Sequence, residues 1–283
     1  MNTIVIPHRD RHAALARCVC SILWSALECG PPWTDPRAWE ILVIDNGSGR
    51  EPYPYDYLVG SGRVRVVHDE REMPVFNKAA LLNVGIDCGG DVLTFLDADA
   101  IVGPRWIRAV EALDDPAVTL LAYRVRYLPP GTDLPDRDSW RALFDPAEYE
   151  RHPRAYEAYG RAEYNPKVAP ADPASIATVL GNSQFSLRRD MLRALGNLRW
   201  DEAFVGRGWE DLDMLRRIRR AAGDAYRGAI RTDPASCLYH VRHDYRPDWR
   251  TPDAERANRR RFFEGADPHP NPSPLRERAG RGC

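Results

Sequence analysis

Phe95-Leu96-Asp97-Ala98-Asp99-Ala100 is the stretch on which the reading of this chain turns. Residues 92–96 form a short, unbroken apolar run, the pattern of a strand buried on both faces, and the run stops at a carboxylate. The same design recurs on either side. Residues 3–6 read as a strand leading into Pro7. Residues 40–44 read as a second that ends at Asp45, before the turn residues Asn46-Gly47-Ser48-Gly49, and residues 64–67 as a third. Between them, residues 13–27 carry Leu15, Val19, Ile22 and Leu23 at helical spacing, and residues 77–87 also read as a helix. This alternation predicts an α/β fold with a mostly parallel central sheet flanked by helices. Ligands of such sheets lie beyond the carboxyl ends of the strands, where Pro7, Asp45 and Asp97 all fall.

Past a helix over 106–113 and a strand over 118–125 the character changes. Residues 127–173 are rich in Pro, Asp, Arg and Tyr and lack a period, which in a compact domain points to a functional or mobile segment. Regularity returns over 176–187, followed by helices near 190–195 and over 210–222 and a strand-like run over 235–241. From about residue 267 the Pro-rich and then Arg/Gly-rich sequence cannot build a core, so 267–283 is expected to be a disordered tail. The division expected is one domain over 1–266, with a first half over 1–125 and a second over 126–266.

Bulk properties narrow the function. The 283 residues are 43% hydrophobic and carry 40 basic against 41 acidic side chains, so no cationic surplus exists to neutralise a nucleic-acid backbone. Six scattered cysteines form no Cys-x-x-Cys pair, and no apolar run is long enough to span a membrane. With a first strand starting at residue 3 and no signal-peptide pattern, reduced thiols, a cytoplasmic location and at most a peripheral membrane association are expected.

Four further features carry chemistry. Asp97 and Asp99, one residue apart at a strand end, offer hard oxygen ligands suited to Mn²⁺ or Mg²⁺, although Asp-x-Asp alone is as readily a helix cap or a turn. His240-Val241-Arg242-His243 follows a late strand and could supply imidazoles to the same ion; isolated, such a pair reads equally as ordinary core or surface histidines. Gly206-Arg207-Gly208-Trp209-Glu210-Asp211 feeds acids into a helix start, where they complement the helix dipole or, above a pocket, act as a base. Phe76-Asn77-Lys78 sets a ring and one of only two lysines at another helix start.

In order and spacing these motifs, together with Pro7-His8-Arg9-Asp10-Arg11, resemble the β-1,4-galactosyltransferases, the family 2 glycosyltransferases and chondroitin-polymerase-type C-terminal domains, across residues 3 to 245. The resemblance implies a GT-A, Rossmann-like fold and an inverting, metal-dependent transfer of a sugar from a UDP-sugar to an acceptor hydroxyl; galactose or N-acetylgalactosamine would be the family-weighted donor sugar. Carried over residue by residue, Pro7, Arg9 and Arg11 would line the nucleotide pocket and Asp45 would face the uracil. Phe76 would lie against the base, Lys78 would replace a nucleotide-binding arginine, and Asp97 would contact the ribose or sugar. Asp99 and His243 would hold the metal, with His240 standing where the galactosyltransferases carry a methionine. Asp211 would be the catalytic base and Glu210 an acceptor-binding acid, beside Trp209 and Arg207.

His8 replaces the usual aromatic, and Trp209 replaces a glycine, so the acceptor (a glycan, lipid, peptide or small molecule) is not expected to be that of the galactosyltransferases. Three rival readings stand beside this one: a retaining transferase of the same fold, a sugar-nucleotide nucleotidyltransferase, and a non-catalytic UDP-sugar-binding protein. The nucleotidyltransferase should carry a glycine-rich basic loop after the first strand, and here Pro7-His8-Arg9 leads into a helix instead.

Overall fold

The structure is a computed structural model that describes residues 1–48, 58–118, 120–128, 132, 139, 143–144, 177–206, 208–222, 230–231, 237–240 and 251–264. The chain order is β1 (Asn2–His8), α1 (His12–Cys29), β2 (Trp39–Asp45), β3 (Val64–His68), α2 (Lys78–Cys88), β4 (Val92–Phe95) and β5 (Ala100–Val102), then a 3-10 helix (Trp106–Asp114). It continues with β6 (Leu120–Tyr127), β7 (Ala177–Arg188), α3 (Arg189–Ala194), α4 (Glu210–Ala222), β8 (Ile230–Arg231), β9 (Cys237–His240) and α5 (Pro252–Glu264). The nine strands among the described residues join one sheet in the order β3-β2-β1-β4-β7-β6-β9-β5, with β8 beside β6. The first four of that order run parallel, and β7 enters antiparallel to both β4 and β6.

Alternation within the strands divides the core. Ile4 and Ile6 of β1, with Ile41 and Val43 of β2, pack against Leu15, Val19 and Ile22 of α1 and against Trp106 and Ile107 of the 3-10 helix. Val5, Leu42 and Ile44 face the other way, toward Leu81 and Leu82 of α2 and Met214, Leu215 and Ile218 of α4. Because both faces are covered, these strands read as unbroken apolar runs. One close approach fixes a residue type. A Cβ built on Gly85 of α2 would lie 2.1 Å from Val5 Cγ1, so only glycine lets this helix settle on β1.

Several sequence expectations shift. The segment over 106–113 is a 3-10 helix, β5 lies between Asp99 and that helix where no strand was expected, and α5 appears in a stretch to which no element was assigned. Its polar, arginine-rich composition hides it, since only Asn258 of this helix is buried. Cys18, Cys20, Cys29 and Cys237 carry free thiols. Most of 127–173, and all of the expected tail over 267–283, lie outside the described residues. Among the described residues no helix is long and apolar enough to cross a membrane.

Candidate active site

The carboxyl edge of the sheet gathers the predicted residues. Asp97 follows β4, Asp99 precedes β5, and the pairing of β5 with β9 sets Ala100 opposite His240. One ligand atom each from Asp97, Asp99 and His240 lies within 4.8 Å of the others. Two donors sharing an ion at bonds of about 2.1 Å stand at most roughly 4.2 Å apart, so a small contraction suffices. His240 Nε2 and Asp99 Oδ1 already lie 3.3 Å apart. Two carboxylates and an imidazole form a donor set that suits Mn²⁺ or Mg²⁺. His243 lies outside the described residues.

Each carboxylate is also held by the protein. Arg11 Nη1 lies 2.6 Å from Asp99 Oδ2. Asp97 is gripped twice by Gln184 of β7: its backbone N–H donates to Gln184 Oε1 at 3.0 Å, and Gln184 Nε2 donates to Asp97 Oδ2 at 2.6 Å. Sequence reasoning passed over Gln184, which sits in a polar stretch of β7, Asn182-Ser183-Gln184, just before Phe185 and carried no distinct signal. Asp97 also supplies the backbone carbonyl 3.6 Å from Cys18 Sγ. Burial, then the charges of Asp99 and Asp97, push this thiol up and keep it protonated.

Lys78 joins the two halves of the site. Its Nζ lies 2.6 Å from Asp97 Oδ1 and 3.6 Å from Asp211 Oδ1, with the lysine side chain only 13% exposed. Burial alone would lower its pKa, but Asp211, Asp97 and Glu210 outweigh burial and raise it, so the ammonium is held charged. Lys78 and Asp211 meet because the starts of α2 and α4 are stitched together. Asn77 caps α2 by accepting from the Ala80 amide at 3.0 Å, and its own amide reaches the Glu202 carbonyl at 2.7 Å. Gly206 N donates to the Phe76 carbonyl at 2.8 Å. Two helix N-termini thus face one cluster of carboxylates, and their dipoles favour negative charge there.

The loop into α4 is unusual. Gly206, Gly208 and Trp209 all have positive φ, at 76°, 91° and 79°, and for the bulky tryptophan this is a strained conformation. Asn258 of α5 over-determines it: its amide donates to the carbonyls of Val205 and Gly208 at 2.9 and 3.2 Å, and its Oδ1 accepts from the Val205 amide at 3.2 Å. The Trp209 ring packs at 5.1 and 5.2 Å from Phe262 and Phe263. Glu210 is buried and Asp211 half-buried at the helix start. Asp213, one turn further in, is held by Arg216 and Arg217 at 2.6 and 2.7 Å, which makes it structural. Arg207 lies outside the described residues.

On the nucleotide side, Pro7 is buried in β1 opposite Ile44, and Arg9 Nη1 donates to the Met73 carbonyl at 2.7 Å. Phe76 is buried in the second apolar cluster, with its neighbours Ala79 and Leu81. Asp45 is buried between His8, whose Nδ1 is 3.1 Å from Oδ1, and His68, whose Nδ1 is 3.4 Å from Oδ2. His8 belongs to the motif after the first strand, whereas His68, like Gln184, carried no sequence motif of its own.

A doubly covered α/β sheet with acidic groups massed beyond its parallel strands is of the class that binds ligands at the carboxyl ends of its strands. The family model described as Glycosyl transferase family 2 matches residues 3–172, and the chain belongs to that family. Its fold is similar to the crystal structure of residues 1–349 of S. aureus TarS in complex with UDP-GlcNAc, with a TM-score of 0.53 and 11% identity. That match covers 87% of this chain and 60% of the TarS chain, so this chain spans little more than half of that structure. Comparison with curated proteins finds no match.

Proposed function

We propose that the chain transfers a sugar from a UDP-sugar to an acceptor hydroxyl with inversion, in a divalent-metal-dependent reaction. The observation that carries this reading is the Lys78 ammonium shared between Asp97 and Asp211, 2.6 and 3.6 Å away, which sets a candidate base across the crevice from the Asp97–Asp99–His240 donor set. The UDP-GlcNAc in the TarS structure favours UDP as the carrier. Galactose or N-acetylgalactosamine follows only from the motif resemblance.

In this mechanism Asp211 accepts the proton of the acceptor hydroxyl, whose oxygen forms a bond to the anomeric carbon. The bond from that carbon to the diphosphate oxygen breaks, and UDP departs from the opposite face. The ion pair with Lys78 favours the ionised carboxylate a base needs. A divalent ion bound by Asp97, Asp99 and His240, with His243 as a further ligand, would neutralise charge on the diphosphate. Gln184 and Arg11 hold the two aspartates in place. Trp209 and Glu210, with Arg207, form the acceptor side, where the strained loop presents an aromatic edge. Asp45, Arg9 and Arg11 with Pro7, and Phe76 beneath them, serve the nucleoside.

The test is a panel of UDP-sugars scored for metal-dependent UDP release, followed by Asp211→Asn with the best donor. Asp211→Asn should leave the Kd for UDP within about threefold while lowering transfer by roughly a hundredfold or more, the scale of a lost general base. Undiminished turnover would remove Asp211 from the mechanism, and retention of anomeric configuration in the product would replace inversion with the retaining reading.

A further inference from the structure

Position 8 departs from the family resemblance, with a histidine where an aromatic is usual, and the mechanism above gives it no part. His8 ends β1 in register with Asp45 at the end of β2, which is in register with His68 at the end of β3. In-register neighbours of parallel strands present side chains to one face, so imidazole, carboxylate and imidazole form a row across the carboxyl edge. The His8 ring is 0% exposed and Asp45 5%, whereas His68 is 64% exposed at the rim.

The directions of the hydrogen bonds around His8 and Ser48 are fixed. His8 Nε2 accepts the backbone N–H of Arg11 at 3.2 Å. A backbone amide can only donate, so Nε2 is bare and the proton of the ring sits on Nδ1. Nδ1 stands 3.1 Å from Asp45 Oδ1 and 3.2 Å from Ser48 Oγ. Ser48 accepts the Asp10 amide at 2.9 Å, which leaves its hydroxyl proton to donate to Asp45. Two backbone amides therefore impose one orientation on the whole network. Asp45 Oδ1 receives His8 and Ser48, and Oδ2 turns toward His68 and the rim. Arg11, whose amide fixes the histidine, carries its guanidinium to Asp99 at 2.6 Å.

We propose that His8 is a positioning residue: it sets the aim of the Asp45 carboxylate at the nucleoside of the donor and ties that carboxylate to the turn that brings Arg11 to Asp99. The proposal deepens the UDP-sugar reading of this crevice and rests on it. An ionised carboxylate is acceptor-only, so held in this way it selects N–H and O–H groups, as a uracil imide or ribose hydroxyls would present. An aromatic ring at position 8 could fill the space but could neither donate to Asp45 nor accept from Arg11.

Three substitutions separate the two bonds. His8→Asn keeps a donor where Nδ1 stands, His8→Gln can accept from the Arg11 amide but withdraws the donor from Asp45, and His8→Phe keeps the ring and loses both. Calorimetric titration with UDP and Mn²⁺ should give His8→Asn an affinity within about threefold of the parent, and His8→Gln and His8→Phe affinities roughly tenfold weaker, the scale of one hydrogen bond to a charged acceptor. KM for the UDP-sugar should rise with Kd while kcat changes less. Parent-like affinity in His8→Gln overturns the proposal. A loss in His8→Asn equal to that in His8→Phe overturns it too, since ring packing would then explain the effect. If His8→Phe does not fold, the Asn and Gln pair decides. A parent protein that binds no UDP overturns the crevice reading itself, before any substitution is made.

Discussion

Replacing Lys78 by methionine tests the electrostatic centre of the site most severely. The side chains are similar in length, so the change removes a charge from a closed space and little volume. At an effective dielectric of about 20, unit charges at the 2.6 and 3.6 Å found for Asp97 and Asp211 attract by roughly 6 and 5 kcal/mol. Desolvation of the ammonium offsets much of that, as its burial shows. The substitution, however, also leaves Asp97, Asp211 and Glu210 facing one another without their shared cation. Breaking a buried ionic group by removing one partner costs about 3–5 kcal/mol, and that is the expected loss.

Urea unfolding at neutral pH, with Lys78→Met, Asp211→Asn and the double variant, measures both the loss and the coupling. The double variant should regain about 1 kcal/mol or more relative to additivity, because removing the second charge relieves repulsion. The pH dependence follows from the raised lysine pKa. A raised folded-state value means the contribution is fully present below the ordinary lysine value of 10.5 and is lost only as pH climbs through the higher folded value. The parent–variant difference attributable to lysine ionisation should therefore persist to about pH 10. Should Lys78→Met unfold within about 0.5 kcal/mol of the parent, the ammonium is a surface charge in solution and the joined site fails.

Two further outcomes are expected. Gly85→Ala should lower stability by about 1–3 kcal/mol without altering UDP affinity, because the new methyl group collides with Val5 far from the crevice; an unchanged urea midpoint would mean α2 does not seat on β1 as described. Asp99→Ala should abolish saturable Mn²⁺ binding followed by electron paramagnetic resonance, in the presence of UDP, since it removes a carboxylate from a set of three donors; persistent binding would move the ion elsewhere.

The architecture was legible because strand and helix leave different periods in the sequence. Unbroken runs such as 40–44 and 92–96 record burial on two faces, and their terminal aspartates record where the sheet opens to ligand. The motif before α4 was legible for a similar reason: glycines mark positive φ, and acids mark a helix start. The chain could not announce α5, whose largely exposed, arginine-rich surface makes it look like a linker although its one buried residue, Asn258, clamps the loop before Asp211.

What the sequence by itself determined was a mostly parallel α/β sheet with carboxylates at its strand ends, because local apolar patterning encodes burial residue by residue; its GT-A type was legible only through the resemblance of its motifs to a family. Only the tertiary structure decided that Lys78 stands between Asp97 and Asp211, that Gln184 grips Asp97, and that His8 faces Asp45 as a neutral donor. Those relations depend on which strands lie side by side: β4 against β7, β5 against β9, β1 against β2. Strand order is chosen by the packing of the whole core, and no local pattern in the chain spells it out.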